Sequence, residues 1–170
     1  PRVLCYSGSG IETTFTQGED NFLAALVRDQ ARNGANDKVA KLVVAGSVAD
    51  VVEDQFARLL DDLGLEDVVF LPGRSSERLP RIDASTRFIL AQPYLGATAA
   101  TLESLGATRI NALFPLGEEG TTAWLKAIAD TFGVSPARFA TVTEAPRRRA
   151  REATAHYRPT IEGKRIFLFP

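Results

Sequence analysis

Short apolar runs alternate with amphipathic stretches along the first 133 residues of the chain. Runs of this length and composition predict buried β-strands, and helices are expected between them. Strands that are apolar throughout and separated by helices are typical of a parallel sheet covered on both faces. The pattern therefore predicts an α/β, three-layer, Rossmann-like domain. The predicted strands cover residues 2–6, 41–45, 68–71, 87–92 and 109–113.

Apolar residues recur at three- and four-residue spacing between these runs, which predicts amphipathic helices. The first covers about 19–32, the second ends at Gly64, the third covers about 95–105, and the fourth carries Trp124. Two capping boxes are predicted at the starts of the first two helices, formed by Thr16 with Glu19 and by Ser47 with Asp50. The second helix is expected to bury Val52, Phe56, Leu59, Leu60 and Leu63.

The alternation ends after Gly133. Ser135 and Pro136 are a favourable N-cap and first-turn pair, which predicts a long helix over about 136–157 that Pro159 prevents from continuing. We expect this helix to leave the domain and connect it to a further strand at 165–169. The predicted boundaries are a Rossmann-like domain at 1–135, then a connector helix and the first strand of a following domain at 136–170.

Composition narrows the classes of function. The chain has 170 residues, which suits one domain, and its net charge of −1 gives no reason to expect nucleic acid or an anionic membrane as partner. One cysteine and one histidine exclude an internal disulfide framework and a cysteine-only cluster held by this chain alone. No apolar run approaches the roughly 20 residues of a membrane span. These features predict a soluble domain in a reducing compartment.

Both termini carry strand-like sequence. The chain opens at Pro1, contains no methionine, and closes on the apolar run Ile166 to Phe169. Terminal segments of natural proteins are usually polar, so we expect a domain cut from a longer polypeptide.

In a parallel sheet, ligands bind at the carboxyl ends of the strands. The loops to inspect are therefore 7–18, 46–48, 72–76, 92–97 and 114–120. In the first loop, Gly8 and Gly10 suggest a phosphate cradle, but Thr13 stands where a dinucleotide fingerprint requires a third glycine. A structural turn is the favoured interpretation of this loop, and nucleotide binding stays an alternative.

The other chemistry-bearing residues have structural interpretations. Glu118 and Glu119 precede a helix and are expected to cap it and face solvent, although paired carboxylates can do acid–base chemistry. Cys5 lies in a predicted strand as a small buried side chain, and His156 is expected at the surface. The basic run Arg147–Arg149 is expected to be a solvated helix face or a contact with another subunit.

Four strings of sequence closely resemble the N subunits of light-independent protochlorophyllide reductases, within the superfamily of the nitrogenase molybdenum–iron protein. They begin with Tyr6-Ser7-Gly8-Ser9-Gly10-Ile11-Glu12-Thr13-Thr14-Phe15-Thr16-Gln17-Gly18-Glu19-Asp20. The others cover residues 51–55, 92–96 and 114–126, so the resemblance spans nearly the whole chain.

The resemblance implies reduction, without light, of the ring D double bond of protochlorophyllide in chlorophyll or bacteriochlorophyll synthesis. It implies an N2B2 heterotetramer with the B subunit, and a separate ATP-dependent iron–sulfur reductase protein that carries Mg-ATP. It also implies a [4Fe–4S] cluster in the full complex, whose N-subunit cysteines are not matched here. The chain is then a middle domain, inactive by itself, located in the cytoplasm or in a chloroplast stroma.

The resemblance also points to a substrate cavity. Where nitrogenases place a cofactor-ligating cysteine, this chain has Gln92-Pro93-Tyr94, which suits a flat organic tetrapyrrole better than a metal cluster. No catalytic or metal-binding residue is predicted. The alternatives are an assembly or scaffold protein of the same superfamily, a nucleotide-binding Rossmann module, and the related chlorophyllide reductase. Pocket candidates are Ser7, Gln92, Pro93, Tyr94, Phe114 and Pro115, and interface candidates are Glu12, Thr13, Thr14, Gln17, Glu118 and Glu119.

Overall fold

A computed structural model of the chain describes residues 14–33, 36–74, 80–165 and 167. The strand predicted at 2–6 and the greater part of the one predicted at 165–169 lie outside these residues. The described helices are α1 (Phe15–Asn33), α2 (Asp50–Asp62), α3 (Gly96–Ser104), α4 (Gly117–Thr131), α5 (Pro136–Ala155) and α6 (Arg158–Ile161). The described strands are β1 (Asn36–Val39), β2 (Leu42–Ala45), β3 (Val68–Leu71), β4 (Pro80–Arg81), β5 (Arg87–Leu90) and β6 (Thr108–Arg109).

Four of the described strands form one parallel sheet in the order β3-β2-β5-β6. Strand β2 lies at its centre, with Ala45 beside Leu71 of β3 on one side and beside Leu90 of β5 on the other. Strands β1 and β4 form a separate two-stranded parallel pair. The predicted α/β class with a parallel sheet is therefore confirmed.

Alternate residues of β2 point to opposite faces of the sheet, and each face has its own core. Leu42 and Val44 pack in a cluster with side chains of α2, α4 and α5, among them Phe56, Trp124 and Phe139. Val43 and Ala45 pack in a second cluster with side chains of α1 and α3. These two clusters make the three layers, with helices on both faces of the sheet.

Trp124 connects helix α4 to the sheet by packing and by a hydrogen bond. Its ring is fully buried and stacks on Phe56 of α2 at a centroid distance of 4.9 Å, and its indole nitrogen donates a 2.9 Å hydrogen bond to the Leu90 carbonyl. The bond satisfies the one polar atom of the indole, as a buried tryptophan requires. Trp124 is therefore a core residue of the domain.

The predicted starts of the first two helices are wrong. Helix α1 begins at Phe15, because Thr14 and Gln17 form the capping box: the Thr14 amide donates to Gln17 Oε1 at 2.9 Å, and the Gln17 amide donates to Thr14 Oγ1 at 3.3 Å. Helix α2 follows Ala49 without any side-chain cap, so Ser47 and Asp50 form no capping box. Val52, expected in the core, is exposed.

Four of the described strands differ clearly from the prediction: β1 and β4 were not predicted, β5 ends at Leu90 rather than at residue 92, and β6 is shorter. The last sheet strand, β6, has only the two residues Thr108–Arg109 rather than 109–113. Within the predicted run Ile110 is buried and its amide donates a 2.7 Å hydrogen bond to the Phe88 carbonyl of β5, whereas Leu113 is exposed. The stretch predicted as irregular contains β4 (Pro80–Arg81), which is too short to produce a periodic pattern.

The long helix α5 begins as predicted, with Ser135 Oγ accepting a 3.2 Å hydrogen bond from the Arg138 amide. Its first half belongs to the domain, because Phe139 and Thr143 are buried. From residue 151 onward the described residues are exposed. Within the described parts of the chain, no helix combines the length and apolar character needed to cross a membrane.

Candidate functional site at the carboxyl edge of the sheet

The sheet has a topological switch point between β2 and β5. After β2 the chain passes through α2 to β3 on one side, and after β5 it passes through α3 to β6 on the other. Connections that diverge in this way leave a crevice at the carboxyl ends of the two strands. Gly46 follows β2 and Gln92 lies two residues after β5, so both belong to this edge.

Gly46 and Gln92 are in close contact there. Gly46 has φ +135°, and a Cβ at this position would lie 3.1 Å from Gln92 Oε1 and 3.2 Å from the Gln92 backbone nitrogen. A side chain would need both a strained backbone and a displaced Gln92, so glycine is the residue that fits. The Gln92 side chain therefore lies directly on the backbone of the neighbouring strand end.

Tyr94 is exposed and has an unusual backbone conformation. Its φ is +68°, in the left-handed region that non-glycine residues rarely adopt, and 74% of its surface is exposed. Such conformations are more frequent at functional sites than elsewhere. Pro93 beside it is also exposed, whereas Leu95 is buried in the core on the α1 and α3 face.

Helix α1 is attached to this edge by two carboxylates. The Asp20 side chain is nearly buried and accepts hydrogen bonds from the backbone amides of Ala97 and Thr98 at 2.8 and 2.7 Å, and from Thr98 Oγ1 at 2.7 Å. Asp20 thereby caps α3, although 77 residues of sequence separate it from Ala97. Leu95, at the N-cap position, has no polar side chain that could do so. Glu19 Oε1 accepts a 3.0 Å hydrogen bond from the Ser47 amide.

Sequence reasoning missed Asp20. The available signal is the first turn of α3, where Leu95, Gly96 and Ala97 provide no capping side chain. A helix start without its own cap, at a position expected to be buried, requires a partner from elsewhere in the fold. The sequence does not reveal which residue supplies it.

The remaining pocket candidates lie in different environments. The Phe114 side chain is half-buried and packs on the α1 and α3 face of the core, and Pro115 is half-buried. The neighbours of Phe114 are more exposed: Leu113 is 71% and Leu116 is 86% exposed. Ser7 lies outside the described residues.

Among the interface candidates, Thr14 and Gln17 form the exposed capping box of α1, and Phe15 between them is 88% exposed. Glu119 is exposed in the first turn of α4. Glu12 and Thr13 lie outside the described residues, as do Cys5, Gly8 and Gly10.

Glu118 differs from the expected solvated helix cap. Its side chain is only 14% exposed and accepts a 2.6 Å charge-assisted hydrogen bond from Arg147 Nε of α5, with an Arg151 nitrogen 3.9 Å away. The hydrogen bond from Arg147 lowers the pKa of Glu118 below its ordinary value, and the positive charges of Arg147 and Arg151 act in the same direction. Glu118 is therefore a structural link between α4 and α5, and Arg147 is not simply solvated.

A cleft of about 380 Å³ lies between α4 and α5 beside this ion pair. Leu125, Pro146 and Ala150 are among its lining residues, and its surface is mainly apolar. Of the predicted pocket residues that the structure describes, none lines it.

The described residues offer no site for a metal cluster. Among them, no group of three or more histidine, cysteine, aspartate or glutamate side chains is arranged to hold a metal ion. A [4Fe–4S] cluster requires thiolate ligands, and the one cysteine of the chain, Cys5, cannot complete a site by itself.

Comparison with known proteins connects this architecture with a family. A sequence profile described as nitrogenase component 1 type oxidoreductase matches residues 1–170. The light-independent protochlorophyllide reductase subunit N of Rhodopseudomonas palustris (strain BisB18) is 56% identical over 99% of this chain and 39% of the relative. The protein of the same name from Rhodospirillum rubrum is 54% identical over 99% of this chain and 38% of its own length. The one from Bradyrhizobium sp. (strain ORS 278) is 56% identical over 99% of this chain and 39% of its own length. The chain thus spans about two fifths of these relatives, and the resemblance inferred from the sequence strings is confirmed.

Proposed function

This chain belongs to the nitrogenase component 1 type oxidoreductase family, and on that premise we propose that it forms the middle domain of the N subunit of a light-independent protochlorophyllide reductase. In this proposal its carboxyl edge contributes one wall of the cavity that binds protochlorophyllide. The full complex reduces the ring D double bond of the pigment to give chlorophyllide.

The observation that carries this proposal is the set of exposed apolar and aromatic side chains in the segments that follow the strands or begin the neighbouring helices. Phe15, Tyr94, Leu113 and Leu116 are all exposed in loops or helix starts at this end of the sheet. A tetrapyrrole is large, flat and mainly apolar, so a pocket for it needs apolar and aromatic faces with a few polar anchors. Gln92 and Tyr94 supply polar groups at the same edge.

The role we assign to this domain is binding and orientation of the pigment. The redox chemistry is assigned to a [4Fe–4S] cluster elsewhere in the complex, and Mg-ATP to the separate iron–sulfur reductase protein. The described residues do not fit such a cluster, and we therefore assign no electron-transfer step to them. The domain by itself is expected to be inactive.

The proposal also includes contacts with the B subunit in an N2B2 assembly. Thr14, Gln17 and Glu119 are exposed at the starts of α1 and α4, and Phe15 adds an exposed aromatic ring. Exposed aromatic residues with polar neighbours are frequent in protein interfaces. Glu12 and Thr13 remain candidates from the sequence for the same contact.

The test is reconstitution of the whole enzyme. The full-length N subunit containing this chain would be combined with a B subunit and the ATP-dependent reductase protein, and chlorophyllide formation measured in the dark. We expect ATP-dependent product in the complete mixture and none when the N subunit is omitted. A complete mixture that assembles but neither binds nor reduces protochlorophyllide would contradict the proposal.

A further inference from the structure

The amide oxygen of Gln92 has no hydrogen-bond partner among the residues that the structure describes. Among the described residues it is the single buried side-chain oxygen or nitrogen atom that lacks a hydrogen-bond partner. A buried carbonyl oxygen that gives up water and gains no donor destabilises the folded protein, and such atoms are rare in native structures. The arrangement therefore requires a reason.

Its location is informative, because Gln92 lies at the switch point between the two central strands. The oxygen lies against Gly46, whose missing side chain allows the close approach. Two residues later lies Tyr94, which is exposed and has a left-handed backbone conformation. An unsatisfied polar group and an unfavourable backbone conformation thus occur within three residues at the expected ligand edge.

These two features lower stability in the absence of a ligand. Unsatisfied polar groups and unfavourable backbone conformations are typical of functional sites. At such positions the residue is selected for binding rather than for folding. Because no donor in the described parts of the chain binds Oε1, turning the Gln92 amide away from Gly46 breaks no hydrogen bond to that oxygen there.

We propose that Gln92 is a specificity-determining residue for the pigment: its amide turns away from Gly46 and donates its N–H groups to an oxygen substituent of the bound tetrapyrrole. This inference rests on the proposed function and names the polar anchor of that site. The polar substituents of a protochlorophyllide-type pigment are carbonyl and carboxylate oxygens, which accept hydrogen bonds. An amide provides the matching donor without bringing a charge into an apolar pocket.

The test uses the full-length N subunit assembled with the B subunit, and three variants. Gln92→Met keeps the length of the side chain and removes its polar atoms. Gln92→Glu keeps an oxygen and removes the donor. Gln55→Met, at an exposed position of α2, is the matched control. Protochlorophyllide affinity is measured by equilibrium fluorescence titration, and the melting temperature is measured without pigment.

We expect affinity to fall in the order wild type, Gln92→Met, Gln92→Glu. The methionine variant should bind about three- to tenfold more weakly, the range expected for loss of one neutral hydrogen bond. Its melting temperature should equal or exceed that of the wild type, because the unsatisfied oxygen is gone. The Gln55→Met control should leave both quantities unchanged.

Other results would overturn the inference. Equal affinity of the wild type and Gln92→Met would show that the amide does not contact pigment. A lowered melting temperature of the methionine variant with unchanged affinity would assign Gln92 a structural role. Tighter binding by Gln92→Glu would mean that pigment donates to residue 92, contrary to the proposal. If the wild-type complex bound no protochlorophyllide, the proposed function itself would fail.

Discussion

Glu118 shows how a single residue can respond to pH. Its pKa is lowered in the folded protein, first by the hydrogen bond from Arg147. A carboxyl group with a lowered folded pKa stabilises the protein above its unfolded pKa, about 4.3 for glutamate. That contribution is lost as the pH falls through the lower folded pKa.

We therefore expect Glu118→Gln to lower the melting temperature of the full-length N subunit at neutral pH. The difference from the wild type should shrink as the pH falls below the unfolded pKa of about 4.3, and it should vanish below the lowered folded pKa, where both proteins lack the charge. Thermal unfolding of both proteins across pH 3–8 checks this. Glu119→Gln, at the exposed neighbouring position, is the control, and an equal loss there would contradict the assignment.

Asp20 provides a second residue-scale prediction. Asp20→Ala removes the acceptor of two α3 amides and the Thr98 hydroxyl, and leaves those donors without their partner. We expect a loss of about 2–3 kcal/mol in the free energy of unfolding, the sum of a lost helix cap and unsatisfied buried donors. Denaturant unfolding of the full-length subunit measures it, with Glu103→Ala on the exposed side of α3 as control. A loss no larger than the control would refute the capping role.

These residues also show what the sequence can predict. The helix stops at Gly64 and Gly106 and the cap at Ser135 were predicted, because each depends on neighbours within about four residues. The capping of α3 by Asp20 and the pairing of Glu118 with Arg147 join residues 77 and 29 positions apart. No local pattern specifies such partners.

At the scale of elements, periodicity located β3 as predicted and β2 to within one residue. It failed for β4 and β6, whose two residues each are fewer than any alternation needs, and it did not predict β1, whose sequence Asn-Asp-Lys-Val contains a single apolar residue. It also placed the start of α1 late, because two overlapping capping boxes were available and the structure uses the earlier one, Thr14 with Gln17. Competition between neighbouring capping residues of this kind decides where a helix begins.

The attachment of α5 can be tested directly. Phe139 is buried in the core with α2 and α4, so Phe139→Ala should remove about 3–4 kcal/mol from the free energy of unfolding of the full-length subunit. Tyr157→Ala, at an exposed aromatic residue beyond α5, should change it by less than about 0.5 kcal/mol. Equal effects of the two changes would mean that the first half of α5 is not part of this domain.

At the scale of the whole molecule, the parallel sheet explains why the predicted loops meet at one edge. Parallel strand direction follows from the alternation of apolar runs and helices, so the sequence could predict that the loops after the strands lie at one edge of the sheet, although it did not predict the order of the strands. Which side chains remain exposed there could not be predicted. Phe114 packs partly into the core, whereas Leu116 and Tyr94 do not.

The most direct test of the pigment-binding edge compares Tyr94→Ala and Phe114→Ala in the full-length N subunit assembled with the B subunit. Protochlorophyllide affinity and the melting temperature are measured for each. Because the Tyr94 ring is exposed, and in the proposed complex packs on pigment rather than on protein, we predict that Tyr94→Ala weakens pigment binding by about 1–3 kcal/mol with little change in melting temperature. Phe114→Ala should lower the melting temperature as well as the affinity, because its ring also packs on the core. Unchanged affinity in both variants would contradict the account.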